Sequence, residues 1–337
     1  MTRVAIAGAA HPHVEYAVEE CTRSAELDLV AVSDPSPTVA EKWAGPFGAR
    51  VFADHRQMLA EMTPDIVVVA GIYGDRGGVI VDALLAGSDV VADKPLCTTL
   101  EELEQIEKAS RHSGRSVTLL LEKRYYPETI AAMDLVGAGE LGALVGIVSS
   151  GPHKLNRATR PDWFFERAQY GGILGDLAVH DIDAALWFLT GTSTCSVRGV
   201  VAGSLAGAPS FSLYGVATLV TPGCVITAEV NWMTPAASPL HGDYQMRLVG
   251  TEGTAEIFWA RRRLVVTTNS KPPREISLPA GFRPAERPLR AIANGARPDI
   301  TTEESLLATR LALLAQCSAD GNEEAIRWSA NVPTDRT

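Results

Sequence analysis

The chain has 337 residues, 46% of them apolar and 21% charged, the balance of a globular protein with core enough for two domains. Forty acidic against 30 basic residues give a net charge of −10. Such a surface repels polyphosphate, which argues against general nucleic-acid binding or a role on anionic membranes. No apolar run reaches the length of about 18 residues that a membrane span needs. Val4–Ala10 ends at His11-Pro12-His13 and reads as a buried strand rather than a signal peptide. Cys21, Cys97, Cys195, Cys224 and Cys317 are scattered, with no Cys-x-x-Cys among them. They suggest neither a disulfide framework nor a thiolate zinc site, and a reducing cytoplasm is expected.

In chain order, Arg3–Gly8 is a strand-like run and Val14–Ser24 a helical stretch. Leu27–Ser33 gives a second strand ending at Asp34, Pro37–Ala44 a short helix and Arg50–Phe52 a weak strand. Ile66–Ala70 is unbroken apolar strand, and Val79–Ala86 is helical and closes on Gly87. Val90–Ala92 runs into Asp93-Lys94-Pro95. Thr98 and Thr99 each stand three residues before a glutamate, Glu101 and Glu102, a capping pattern for a helix to about Ser113. Val117–Leu121 ends the series. Strands apolar on both faces and separated by helices predict a doubly wound parallel sheet. From about residue 143 the pattern changes. A helix is expected over Gly175–Leu189, then strands near Ser196–Gly203, Ser212–Val220, Cys224–Trp232, Tyr244–Val249, Ala255–Trp259 and Leu264–Thr268. Helices return at Pro284–Asn294 and Glu303–Ser318. This second part reads as α+β, with an open, mostly antiparallel sheet.

Ligands of parallel sheets sit at the carboxyl ends of the strands. There the first strand runs into Gly8-Ala9-Ala10-His11-Pro12-His13, where Ala10 and His13 replace the second and third glycines of a phosphate-binding GxGxxG. Ala10 still allows close backbone approach, and His13 would enter the first helical turn, whose free N–H groups attract phosphate. Asp34 ends the second strand near the offset of about 20 residues expected for an acid that bonds a ribose 2′-hydroxyl. No arginine follows it in Pro35-Ser36-Pro37, so NAD is expected over NADP. N-capping of the next helix is the competing role for Asp34.

Asp93-Lys94-Pro95 follows a strand directly. Pro95 restricts Lys94 to extended geometry and can itself be cis. Lys94 then projects into the crevice, able to orient or protonate a substrate oxygen. In Gly171-Gly172-Ile173-Leu174-Gly175-Asp176-Leu177-Ala178-Val179-His180-Asp181-Ile182-Asp183, a helix would set Asp176, His180 and Asp183 on one face. His180 suits proton abstraction at neutral pH and a nearby carboxylate would orient it. Asp-x-x-x-His supplies two metal ligands with no third in view, so no metal is expected. His153, Lys154, Asn156, Arg157, Trp163 and Tyr170 are substrate-facing candidates for a hydroxyl-rich ligand, and Trp187 shares the helical face of His180.

At these residues the sequence resembles the Gfo/Idh/MocA family of NAD(P)-dependent oxidoreductases, which includes glucose–fructose oxidoreductase and inositol dehydrogenase. The resemblance rests on Val4–Gly8 with Asp34, Ala86-Gly87, Asp93-Lys94-Pro95, Arg124 to Pro127, and Gly171-Gly172…Asp176…His180…Asp183. It implies an N-terminal Rossmann domain, residues 1–121, and a C-terminal substrate-binding and oligomerisation domain, residues 122–337, with helices able to pack back on the first. By the same resemblance Lys94 lies between nicotinamide and substrate, His180 is the acid/base, and Asp176 supports substrate or histidine. The cofactor-binding set becomes Gly8, Ala9, Ala10, His11, His13, Asp34, Gly71, Ile72, Asp93, Lys94, Pro95 and Glu122. The substrate-binding set becomes Lys94, Arg124, His153, Lys154, Asn156, Trp163, Asp176 and His180. The chain departs from the family pattern in its glycine loop, in Asp93 for glutamate, in Glu122 for asparagine, and in Ile72 and Arg76 for proline and histidine. The expected activity is hydride transfer between NAD and a secondary alcohol of a sugar, sugar derivative or inositol, by a homodimer or homotetramer assembled through the C-terminal sheet. A non-catalytic NAD- or sugar-binding regulator of the same fold is the alternative, and the presence of Lys94, Asp176 and His180 argues against it.

Overall fold

A computed structural model describes residues 1–330. The final stretch of the expected second domain, 331–337, lies outside the described residues. The chain begins β1 (Thr2–Ala7), α1 (Val14–Arg23), β2 (Leu27–Ser33), α2 (Pro37–Ala44), β3 (Arg50–Phe52), α3 (His55–Met62), β4 (Ile66–Val69), α4 (Tyr73–Leu85), β5 (Asp89–Asp93), α5 (Leu100–Ser113) and β6 (Val117–Leu120). It continues through α6 (Pro127–Gly137), β7 (Leu144–Pro152), α7 (Arg167–Tyr170) and α8 (Val179–Phe188). Then come β8 (Thr194–Leu205), β9 (Ala208–Val220), β10 (Val225–Asn231), β11 (Gln245–Gly250), β12 (Gly253–Phe258), β13 (Arg263–Thr268) and β14 (Lys271–Glu275). It ends with α9 (Glu286–Ala293), α10 (Thr302–Asp320) and β15 (Ile326–Ser329).

Two compact units divide these elements. The first holds Met1–Tyr125, Arg160–Gly172 and Gly281–Arg310; the second holds Tyr126–Thr159, Ile173–Ala280 and the chain from Leu311 onward. The border expected between residues 121 and 122 falls four residues later, and two later segments return to the first unit.

In the first unit six parallel strands run in the order β3-β2-β1-β4-β5-β6. Val4–Ala7 and Ile66–Val69 are buried on both faces, as strands covered by helices on either side must be. Val4 pairs with Ile66 and Ala7 with Val69. Val14, Ala17 and Cys21 of α1 cover one face, joined there by Ala285 and Leu289. The strand order turns back between β1 and β4, which opens a crevice at their carboxyl ends. Thr99 caps α5 in a reciprocal box with Glu102, while Thr98 donates to the same carboxylate. Two elements of this unit escaped the sequence pattern. Asp54 caps α3 by accepting from the Arg56 N–H, and α4 starts at Tyr73, six residues before the expected Val79.

In the second unit nine strands run β14-β13-β12-β11-β7-β10-β9-β8-β15. Every pair is antiparallel except β7 with β10. Glycines let helices lie on the sheet. A Cβ at Gly199 of β8 would stand 1.9 Å from the Ala315 carbonyl oxygen of α10, and one at Gly215 of β9 would stand 2.8 Å from Leu174. Trp259 Nε1–H donates to Thr129 Oγ1 at 2.7 Å and ties α6 to the same body.

Candidate active site

In the first unit, the crevice between β1 and β4 is lined by backbone. Gly8 has φ +78°, and a Cβ there would come within 2.7 Å of the Gly71 Cα. Only glycine permits both that dihedral and that approach. The main chains of the two loops therefore meet with no side chain between them. Asp34 Oδ2 accepts from the Ala9 N–H at 2.8 Å and Oδ1 from the Ser36 N–H at 2.9 Å. Asp34 is thus a strut of the glycine loop, and a ribose hydroxyl would use the lone pair remaining on each oxygen.

The expectation of free amides at the start of α1 needs correction. The N–H of Val14 donates to the His11 carbonyl, that of Glu15 to Pro12, and that of Tyr16 to His13. His13 N–H faces His11 Nδ1 at 3.4 Å. With the first-turn donors engaged, the polar groups at this end of the helix are side chains.

These side chains converge on Asp93. His11 Nδ1 stands 2.9 Å from Asp93 Oδ2 and His13 Nδ1 stands 2.8 Å from Oδ1. The Arg76 guanidinium donates from Nη2 to Oδ2 at 2.9 Å. Burial opposes charge on Asp93, but the two imidazoles and Arg76 hold its carboxyl well below the usual range. Burial lowers the His11 pKa to about 4, with Asp93 restoring only part. At His13 the same burial is outweighed by Asp93 and, further off, by Glu122, and the pKa rises. Lys94 acts on His13 in the opposite sense, so Lys94, Glu122 and the His–Asp–His trio share one neighbourhood. His11, His13 and Asp93 are ligand types whose donor atoms lie within 4.8 Å of one another. The cation bonded to Asp93 is Arg76. The shorter acid at 93 and the longer base at 76, two departures from the family pattern, stand in one hydrogen bond. Lys94 is 6% exposed, and the Lys94–Pro95 bond is cis. Ile72 precedes α4 with φ −58° and ψ 135°.

In the second unit the helix bearing Asp176, His180 and Asp183 is irregular at its start. Leu174–Ala178 is π-helical and leads into α8. The wider turn shifts the row that a regular helix would give Asp176, His180 and Asp183, and π segments recur at functional sites. All three, with Asp181, are at most 4% exposed. Asp181 Oδ2 approaches Gly151 at the end of β7, where an added Cβ would meet it at 3.1 Å. The His153 ring contacts Trp232, His241 and Tyr244, with centroids 5.4, 5.5 and 4.8 Å away, and its Nδ1 lies 2.9 Å from the Gly151 carbonyl.

Other substrate candidates have different engagements. The Lys154 ammonium donates to the Ala236 and Ser238 carbonyls, and Arg157 donates to the Ala206 carbonyl at 3.0 Å. Asn156 is exposed, with φ +49°. Arg124 is 4% exposed and bonded to Glu304 at 2.8 Å, within the first unit. Tyr170 is buried against Tyr73 and Phe164 in that unit, and Trp163 packs edge-on against the same Tyr73. Tyr170 is 2% exposed. Trp187 is half-buried beside Phe188.

A parallel sheet with its switch point at a glycine pair, and an acid closing the second strand, define a dinucleotide-binding α/β protein. Residues 2–120 match the oxidoreductase family with NAD-binding Rossmann fold, and residues 129–256 match the GFO/IDH/MocA C-terminal domain. The chain belongs to the Gfo/Idh/MocA oxidoreductase family. It is 31% identical over 195 residues to D-glucoside 3-dehydrogenase of Escherichia coli, across 56% of this chain and 54% of that enzyme. It thus aligns with about half the length of that relative. It is 26% identical over 248 residues to scyllo-inositol 2-dehydrogenase (NAD(+)) of Bacillus subtilis, across 72% and 70% of the two chains. A Thermotoga maritima structure provisionally called an oxidoreductase superposes with a TM-score of 0.88 at 25% identity, covering 97% of this chain and all of that one. Among the described residues no helix is long and apolar enough to cross a membrane.

Proposed function

We propose that the protein is an NAD-dependent dehydrogenase that oxidises a secondary alcohol of a sugar, sugar derivative or inositol, reversibly. The observation that carries this reading is the burial of Lys94 in the loop after β5, together with burial of His180 and Asp176 on the π-interrupted helix. Ionisable groups are costly to keep from water without a task. The same residues stand in the motifs on which the family resemblance rests.

The nicotinamide, when bound, supplies the acceptor for the hydride that leaves the carbinol carbon. The loops of Gly8, Ala9 and Gly71 would hold its dinucleotide, and Asp34 would accept from a ribose hydroxyl. His180 takes the hydroxyl proton, Asp176 favours the resulting imidazolium, and the Lys94 ammonium stabilises the developing alkoxide. A 2′-phosphate beside Asp34 would suffer repulsion of about 1–4 kcal/mol at ~4 Å, hence NAD rather than NADP. Four buried thiols, Cys21, Cys97, Cys195 and Cys224, suit a reducing cytoplasm.

The test is NAD reduction across a panel of sugars, glycosides and inositols, followed by His180→Ala on the best substrate. General acid–base help is typically worth about 10²–10⁴-fold. Turnover should fall by that factor while NAD still binds. No oxidation anywhere on the panel, or unchanged turnover in the variant, overturns the reading.

A further inference from the structure

The geometry points to Arg76 as the positioning residue for Lys94, a role that rests on the dehydrogenase reading above. Arg76 is 0% exposed on α4. Its Nη1 donates to the Asp93 carbonyl at 2.9 Å and to the Pro95 carbonyl at 3.0 Å. These two acceptors bracket Lys94. Its Nη2 bonds the Asp93 carboxylate, and its Nε donates to the Gly71 carbonyl at 2.9 Å. The guanidinium carbon lies 4.4 Å from the centroid of the Tyr73 ring. One planar cation therefore fixes the loops after β4 and β5. Through Asp93 it also fixes the histidines after β1.

A buried guanidinium placed for stability alone is a poor bargain, since an apolar side chain of similar volume often serves as well. Its fork geometry is what a bracket needs: separate donors at set angles, which a lysine ammonium cannot reproduce. Arg76 also holds the charge of Asp93. Without it, the carboxylate beside Lys94 in the chain would be left to the His11 and His13 imidazoles and to the Lys94 ammonium itself. Drawn onto Asp93, that ammonium would be withdrawn from the role the dehydrogenase reading gives it. Displacement of a reacting group by about 1 Å can cost about 10²-fold in rate.

The experiment compares wild type, Arg76→Lys, Arg76→Met and Arg76→Ala in the full chain, with two readouts. One is kcat against KM on the alcohol. The other, which needs no turnover, is the rate of reductive methylation of Lys94 in the cofactor-free protein, followed by mass spectrometry with the equally buried Lys123 as internal control. We expect Lys94 to be methylated several-fold faster in all three variants while Lys123 is unchanged. We expect kcat to fall by about 10²-fold with KM moving little. Guanidinium ion should restore part of the turnover of Arg76→Ala, and methylammonium should not. Wild-type turnover and labelling in Arg76→Lys would overturn the role. So would faster labelling of Lys123 in step with Lys94, which would mean general loosening. If the wild type oxidises no alcohol while Lys94 labelling alone responds, the bracket stands and the dehydrogenase reading falls.

Discussion

His11 offers a quantitative check on the cluster around Asp93. Burial depresses its pKa from 6.5 to about 4. In the window between those values the unfolded chain binds a proton that the folded chain refuses. Stability from this residue is therefore complete above pH 6.5 and lost as pH falls toward 4. At about 1.4 kcal/mol per tenfold change, the loss amounts to about 3 kcal/mol. The neighbours do not blur the window. His13 has a raised pKa, so its contribution is fully present below 6.5 and is lost only as pH rises through its folded value. Asp93 is held well below 3.8, so its contribution is lost only under more acidic conditions. In His11→Asn, an amide N–H can replace the Nδ1 contact to Asp93 Oδ2 without titrating. Urea unfolding from pH 4 to 7, with hydrogen exchange of β1 and β5 amides reporting the first unit, should show wild type steeper than the variant by about 3 kcal/mol across the window. Parallel curves would refute the neutral, buried imidazole.

Three further outcomes are expected. Gly8→Ala places a methyl 2.7 Å from the Gly71 Cα at φ +78°, and unfolding free energy should drop by at least about 1–3 kcal/mol with loss of NAD binding by calorimetry. The ratio of kcat/KM for NAD over NADP should be well above one and should shrink in Asp34→Asn, which keeps a side-chain oxygen for the Ala9 N–H; equal values in the wild type would remove Asp34 from cofactor choice. Val148, Val220, Val225 and Tyr214 are each 39% or more exposed on strands β7, β9 and β10, so Val148→Lys should lower the mass seen by light scattering if a second copy covers that face, and an unchanged mass in both proteins would exclude it.

The first unit was legible because its strands announce themselves. Ile66–Val69 has no polar residue to interrupt it, and Asp34 and Asp93 mark strand ends that a parallel sheet brings to one edge. Lys94 was legible because Asp-Lys-Pro is local. Arg76 registered in the sequence only as a substitution. Its worth lies in contacts to Asp93 and Pro95 that the sheet creates, and no periodicity encodes them. Spacing also says nothing about which way a side chain turns once its loop is set. Lys154 found two carbonyls and Arg124 found Glu304, while Tyr170 entered an aromatic core. The wide turn at Leu174–Ala178 is another blind spot, because a row computed at 3.6 residues per turn assumes the regularity that this segment lacks.

The single parallel seam of the larger sheet has a consequence for how that body is made. Gly146 and Val225 are neighbours across it, whereas β8–β9, β11–β12 and β12–β13 are joined by short connections. The hairpins can close as soon as they leave the ribosome, but the middle of the sheet must wait for both its halves. Loop closure over that span is slow relative to local pairing. The seam, like the β7–β11 pairing beside it, thus leaves an early product with unsatisfied strand edges.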